Sequence, residues 1–274
     1  MLKNKKKRNQ NNMIKFFRHI RQKLLTENKF SRYLLYAIGE IILVVIGILL
    51  ALQINNWNEN RKAQKKEQEL LLQLQSEFES NLKQLDGKIA LRIAMINASF
   101  KLLEYVDYPS KRNHDSILNH LGYTVLSPTF DPIVNDINSS GRIDLIQSTE
   151  LKEKLSLWTS EIIQVTEEEQ VWLHYRNNYY MPILLQKGLY RNLVNQYWED
   201  NIIEAFHLDK NIKANFNLGD TKRDVNLSEL LDEIQFENHI AQCATFAHLA
   251  NSQSLSLRNR IVELLELIQQ GLEQ

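Results

Sequence analysis

Between Tyr33 and Ile54 the chain carries 22 almost entirely apolar residues, and no polar side chain interrupts Ile41–Leu52 on any face. Such a run predicts a helix that is apolar all round. At ~1.5 Å per residue it reaches about 33 Å, enough for a hydrocarbon core of roughly 30 Å. Phe30, Tyr33 and Tyr36 mark one end and Trp57 the other, where interfacial aromatics belong. Beyond Trp57 the pattern turns from continuous to periodic. Leu71, Leu74, Phe78, Leu82, Leu85, Ile89, Ile93, Ile96, Phe100 and Leu103 follow one another by threes and fours, predicting one buried face of a long helix. No proline lies between Ser31 and Tyr108, so this helix is free to run on from the span until Tyr108-Pro109-Ser110 stops it.

Residues 107–147 hold Pro109, Gly122, Pro128, Pro132 and Gly141 and read as irregular. Within them the sequence predicts a short helix over Asp115–Tyr123. A second is expected to be capped by Asp131, with Pro132 in its first turn and Gly141 at its end. Ser148 or Thr149 caps another long helix, in which Leu151, Leu155, Trp158, Ile162, Val165, Trp172 and Tyr179 keep a near-heptad spacing. Met181-Pro182 bends or ends it. Residues 183–206 predict a shorter aromatic helix (Leu189, Leu193, Tyr197, Trp198, Phe206), and 207–226 a polar loop around Gly219. A last helix opens at Asn226 or Ser228 and runs toward Gly271, with Leu257, Ile261, Leu264, Ile268 and Leu272 on one face. The expected fold is all-α: a transmembrane helix over 33–54, then a 55–274 extracytoplasmic antiparallel bundle of long helices.

Charge sets the expected orientation. Residues 1–32 hold eleven Lys and Arg, against four in residues 55–74 (Arg61, Lys62, Lys65, Lys66). That asymmetry predicts a cytoplasmic N-terminus, a single pass through the inner membrane and a periplasmic body. Residues 13–32, with Phe16, Phe17, Ile20, Leu24 and Leu25 among the charges, predict a short helix on the inner leaflet. Ala51-Leu52-Gln53 is a poor small-x-small cleavage site and no Cys follows the apolar run, so an uncleaved signal anchor is expected. The chain is neutral overall while its first 32 residues are strongly basic, so the body is acidic, which argues against nucleic acid as its partner. A lone Cys243 excludes an intrachain disulfide framework.

Candidate chemistry is sparse. Glu40 is the one acid in the span, and Tyr33, Glu40, Gly47 and Ala51 fall within about 20° of one line on a helical wheel. Gly47-x-x-x-Ala51 is a small-xxx-small pair, so this stripe is the candidate helix–helix interface. Gly-x-Ser-x-Gly, HExxH and Gly-rich phosphate loops are absent, so no enzyme, no catalytic residue, no metal site and no cofactor is expected. Glu204 and His207 have di-metal helix spacing, but one copy is too few. His239 and Cys243, four apart with His248 nearby, read as packing rather than ligation. The aromatics Trp172, Tyr175, Tyr179, Tyr180, Tyr190, Tyr197 and Trp198 are expected in the core first. Among them Trp172, Tyr175, Tyr179 and Trp198 are the weak ligand-pocket candidates.

The stretch MIKFFRHIRQKLLTENKFSRYLLYAIGEIILVVIGILLALQINNWNENR, residues 13–61, resembles the N-terminus of a domain-of-unknown-function family of bacterial single-span membrane proteins. The resemblance implies a small membrane protein with no assigned activity, and it carries over no catalytic residue. That family's pattern begins at the equivalent of Met13, leaving the start at Met1 or Met13 open. The expected role is a protein-interaction or assembly module whose partners are the lipid bilayer and a second copy or another membrane protein. The alternative is an extracytoplasmic small-molecule sensor acting through a partner.

Overall fold

The computed structural model describes residues 30–134, 140–199, 217–223 and 225–273. The expected inner-leaflet helix over 13–32 lies almost wholly outside them. All regular structure among the described residues is helical: α1 (Phe30–Asp107), α2 (His114–Thr124), α3 (Thr149–Tyr175), α4 (Met181–Gln186), α5 (Tyr190–Glu199), α6 (Leu227–Leu231) and α7 (Ile234–Leu272). The chain divides into two compact units, Met1–Lys65 and Lys66–Gln274.

The first unit is apolar surface. Every side chain from Ile38 to Trp57 is exposed, among them Ile41 through Ile46. A helix whose apolar side chains are exposed on all sides has the length and composition to cross a membrane. The Arg61 guanidinium lies 6.0 Å from the centre of the Trp57 ring.

The second unit is built on the rest of α1 with α3 and α7. On α7 the buried positions are Phe236, Ile240, Cys243, Ala247, Ala250, Ser254, Leu257, Ile261, Leu264 and Ile268, alternating by fours and threes without a break. On α3 they are Leu151, Leu155, Trp158, Val165, Glu169 and Trp172, on the same seven-residue repeat. On α1 the buried face passes through Leu71, Leu74, Phe78, Asn81, Leu85, Arg92, Met95, Ser99 and Leu102. Ile93 and Phe100 are not on it, being 49% and 61% exposed. An apolar-only reading drifts onto them at a step of 3.6, whereas the packed seam keeps 3.5 and accepts Arg92 and Ser99.

Two apolar clusters result. One joins Leu70–Ile89, Phe130, Leu151–Val165 and Leu257–Ile268 through residues such as Leu85, Trp158 and Ile261. The other joins Met95, Leu102, α2, Trp172, Tyr180 and the first half of α7. Polar pairs follow the helices: Gln68 Nε2 donates to Gly271 O (2.8 Å), Arg258 Nε to Asp86 Oδ1 (2.7 Å) and Lys154 Nζ to Glu263 Oε2 (2.8 Å).

The helix ends follow local chemistry. Pro109 closes α1. Asn113, Ser148 and Asn226 accept from the third amide beyond them at the starts of α2, α3 and α6. Four expectations need correction. Residues 131–134 hold no helix, because the backbone of Asp131 and Ile133 is bound by Gln84 and Asn81 of α1. Gly141 (φ +68°) opens a 3₁₀ turn, Arg142–Leu145, instead of closing a helix. Pro182 does not itself end α3, whose α-helical turns stop at Tyr175; a π-turn at Arg176–Tyr180 precedes it, with Met181 N–H bound to Arg176 O. That wider turn takes up the register before proline removes a donor. The helix expected over 183–206 is split at Gly188 (φ +75°), and the last helix is split between α6 and α7.

Candidate functional site

In the apolar helix, Glu40, Gly47 and Ala51 are exposed, and a Cβ placed on Gly47 meets nothing within 4 Å. The chain itself therefore gives no packing reason for a small residue there. Tyr33 lies in the helix, but its side chain is outside the described residues.

The more elaborate arrangement lies in the second unit, where the sequence predicts an irregular connection and the start of a helix at Asp131-Pro132. Residues 125–133 form a strap without helix or strand, and side chains from two helices bind its main chain. From α3 and the π-turn, Arg176 Nε donates to Val125 O (2.5 Å) and Trp172 Nε1 to Leu126 O (2.8 Å). Glu169 Oε2 accepts from Phe130 N–H (2.7 Å). From α1, Arg92 Nη2 lies 3.5 Å from Pro128 O. Gln84 pairs with both N–H and C=O of Asp131 at 2.9 Å, and Asn81 with both of Ile133 at 2.8 and 2.9 Å. On α3 and the π-turn the readers 176, 172 and 169 take strap residues 125, 126 and 130, and on α1 the readers 92, 84 and 81 take 128, 131 and 133, so on each helix the readers descend as the strap ascends. Pro132 falls between the two clamped residues, where its missing N–H costs no bond to α1.

Arg92 and Glu169 are 2% and 3% exposed and form an ion pair with each other. Arg92 Nη1 also donates to Ser254 Oγ (2.6 Å) and Asn251 Oδ1 (3.3 Å), and Asn251 Nδ2 to Ile89 O (3.3 Å). One polar residue or more from each long helix thus meets at a single layer. Burial pushes the Glu169 carboxyl up, against the pull of Arg92, and draws Arg92 down. Lys88, one turn before, is also lowered by burial. The cavity beside this layer, lined by Met95, Pro128, Trp172 and Phe246, is about 10 Å³, room for roughly one water.

The structure brings Trp172, Tyr175 and Tyr179 together with Tyr180, Phe246 and His239, at ring separations of 5.5–6.4 Å. Trp172 and Tyr180 are buried, and Tyr179 is exposed. Tyr175 Oη lies 2.8 Å from His239 Nδ1. The side chain of Trp198, and the whole of Glu204, Phe206 and His207, are outside the described residues. Cys243 is buried with its Sγ 3.4 Å from Thr124 O, and burial pushes its thiol up to about 12. His239 and Cys243 thus serve separate contacts. Among the described residues no three His, Cys, Asp or Glu gather as metal ligands would.

Residues 40–109 match a family of unknown function, DUF6090. The match runs from Glu40 to just past the end of α1, including Asn81, Gln84 and Arg92. It leaves out residues 13–39 of the N-terminal stretch. No curated protein matches the chain, and no solved structure does.

Proposed function

We propose that the protein is a single-pass inner-membrane protein of bacterial type, N-terminus inside, whose periplasmic body is an antiparallel helical bundle serving protein interaction and assembly. The observation that carries this reading is the Ile38–Trp57 surface, apolar and exposed on every side. The basic excess in residues 1–32 supports the orientation. Pairs that climb α1 as they descend α7 (Gln68–Gly271, Asp86–Arg258, Arg92–Asn251) support the antiparallel arrangement, and the heptad seams support coiled-coil-like packing. The stripe Tyr33, Glu40, Gly47, Ala51 is the proposed contact with a second copy. In this reading the body binds and does not catalyse, and neither cofactor nor nucleic acid takes part. The sensor alternative gains little from the aromatic cluster, whose neighbouring cavity of about 10 Å³ suits a water rather than a ligand. Alkaline phosphatase fused after Gln274 should be active and a cytoplasmic reporter there silent; the reverse overturns the orientation. Cross-linking of the full-length protein in its own membranes should yield a discrete complex, and a monomer alone removes the assembly role.

A further inference from the structure

The strap at residues 125–133 lies over both apolar clusters, Val125 and Leu126 entering one and Phe130 the other. A strand in a folded protein bonds to a neighbouring backbone, whereas this strap bonds chiefly to side chains. Each such bond is released by turning one side chain, with no ladder to unzip. Both ends are held. Arg176 and Trp172 grip the first residues beside the α2 end. Gln84 and Asn81 make four bonds to Asp131 and Ile133 at the far end, where the Ile133 and Val134 side chains are exposed. Glu169 is shared: one oxygen takes Arg92 and the other takes Phe130 N–H. Arg92 in turn reaches Pro128 O. The charge pair therefore ties the middle of the strap to the contact of the three long helices. Its net hold is modest, because two buried charges give back in desolvation much of what they gain in attraction.

We propose that residues 128–134 form a strap that opens as one local unit, and that the Arg92–Glu169 pair is the latch holding it over α1 and α3. Opening uncovers the Gln84 and Asn81 amides and the second Glu169 oxygen, donors and acceptors that match an extended main chain whatever its side chains. Pro132 denies a docked strap the outward N–H through which it would recruit a foreign strand.

Hydrogen exchange on the full-length protein in detergent tests this. In the unaltered protein, amides of residues 130–133 should exchange faster than those around Leu85, Leu155 and Ile261, with weaker urea dependence, as expected of a local opening. Glu169→Gln keeps the shape and removes the charge; it should speed strap exchange about tenfold and leave those helices within about twofold. The pair Asn81→Ala and Gln84→Ala should speed Phe130, Asp131 and Ile133 together and leave those helices unchanged. Strap and helices accelerating together would show one cooperative body and overturn the proposal. So would a strap unaffected by either change, which would mean that Phe130 burial alone holds it. Should Glu169→Gln fail to fold, the clamp variants and the urea dependence of the unaltered protein decide the matter.

Discussion

Arg92 occupies a seam position that long packed helices normally give to leucine, and its surroundings set what removing it does. Arg92→Met leaves Glu169 buried without its cation and should cost about 3–5 kcal/mol. Changing Glu169 to Leu as well should recover much of that loss. Recovery stops short because Phe130 N–H and Ser254 are left unpaired, at about 1–3 kcal/mol each. Denaturant unfolding of the single and double variants reads both values; an additive double loss would contradict the pairing. Two histidines act in the opposite sense to a salt bridge. Burial lowers His239, and burial with the nearby Lys101 charge lowers His120. The folded state then binds protons less readily than the unfolded chain, so the stability these rings carry is full above their ordinary 6.5 and is lost as pH falls below it. The melting temperature should drop between about pH 7.5 and about pH 5.5, and replacing both by Gln should flatten that slope. Arg92, Glu169, Gln84 and Asn81 went unread because apolar periodicity passes over polar residues, whereas Trp172 stood on the expected face of α3. Their signal was nonetheless present. Leu71, Phe78, Leu85, Arg92 and Ser99 stand seven apart, as do Leu257 and Leu264 on the partner helix.

At the scale of the element, the long helices and the start of α3 at Ser148 or Thr149 were legible, because caps and periodicity are local, whereas the cap expected for the last helix belongs to α6. Ser148 and the Pro109 stop could be read off directly. The strap could not, since its conformation is set by Asn81 and Gln84 some 50 residues earlier in the chain, at separations of 52 and 47. The same distance effect hid the π-turn: Pro182 announced a disturbance, and the packing of Tyr180 determined its form. The seam itself can be tested against the drifted reading. Ile261→Ala or Leu85→Ala should cost about 2–5 kcal/mol, the loss typical of fully buried side chains. Ile93→Ser and Phe100→Ser should each stay within about 0.5 kcal/mol, as exposed sites do. A large loss at Ile93 with a small one at Leu85 would reinstate the 3.6-residue face. Ser148→Ala should cost about 1 kcal/mol through the lost bond to Leu151 N–H.

At the scale of the molecule, the family match confines itself to the segment holding the apolar run and α1, so that run is where a test of assembly belongs. Gly47 is exposed with nothing within 4 Å of its missing Cβ, and an isoleucine there disturbs no contact within the chain. In the proposed contact with a second copy, close approach at Gly47 and Ala51 would supply dispersion contacts that a branched side chain blocks. Glu40→Gln keeps a hydrogen-bonding group, and interhelical polar contacts in membranes average only ~0.6 kcal/mol, reaching about 1.7. Gly47→Ile should thus weaken self-association more than Glu40→Gln. Cysteines placed singly along residues 43–54, in a Cys243→Ser background, should cross-link best at Gly47 and Ala51 and poorly at Leu43 and Leu50. Cys243 is buried within α7, so a conservative Ser there removes the competing thiol. Equal cross-linking at all four positions would mean that the stripe faces lipid, and self-association would then have to be sought in the second unit alone.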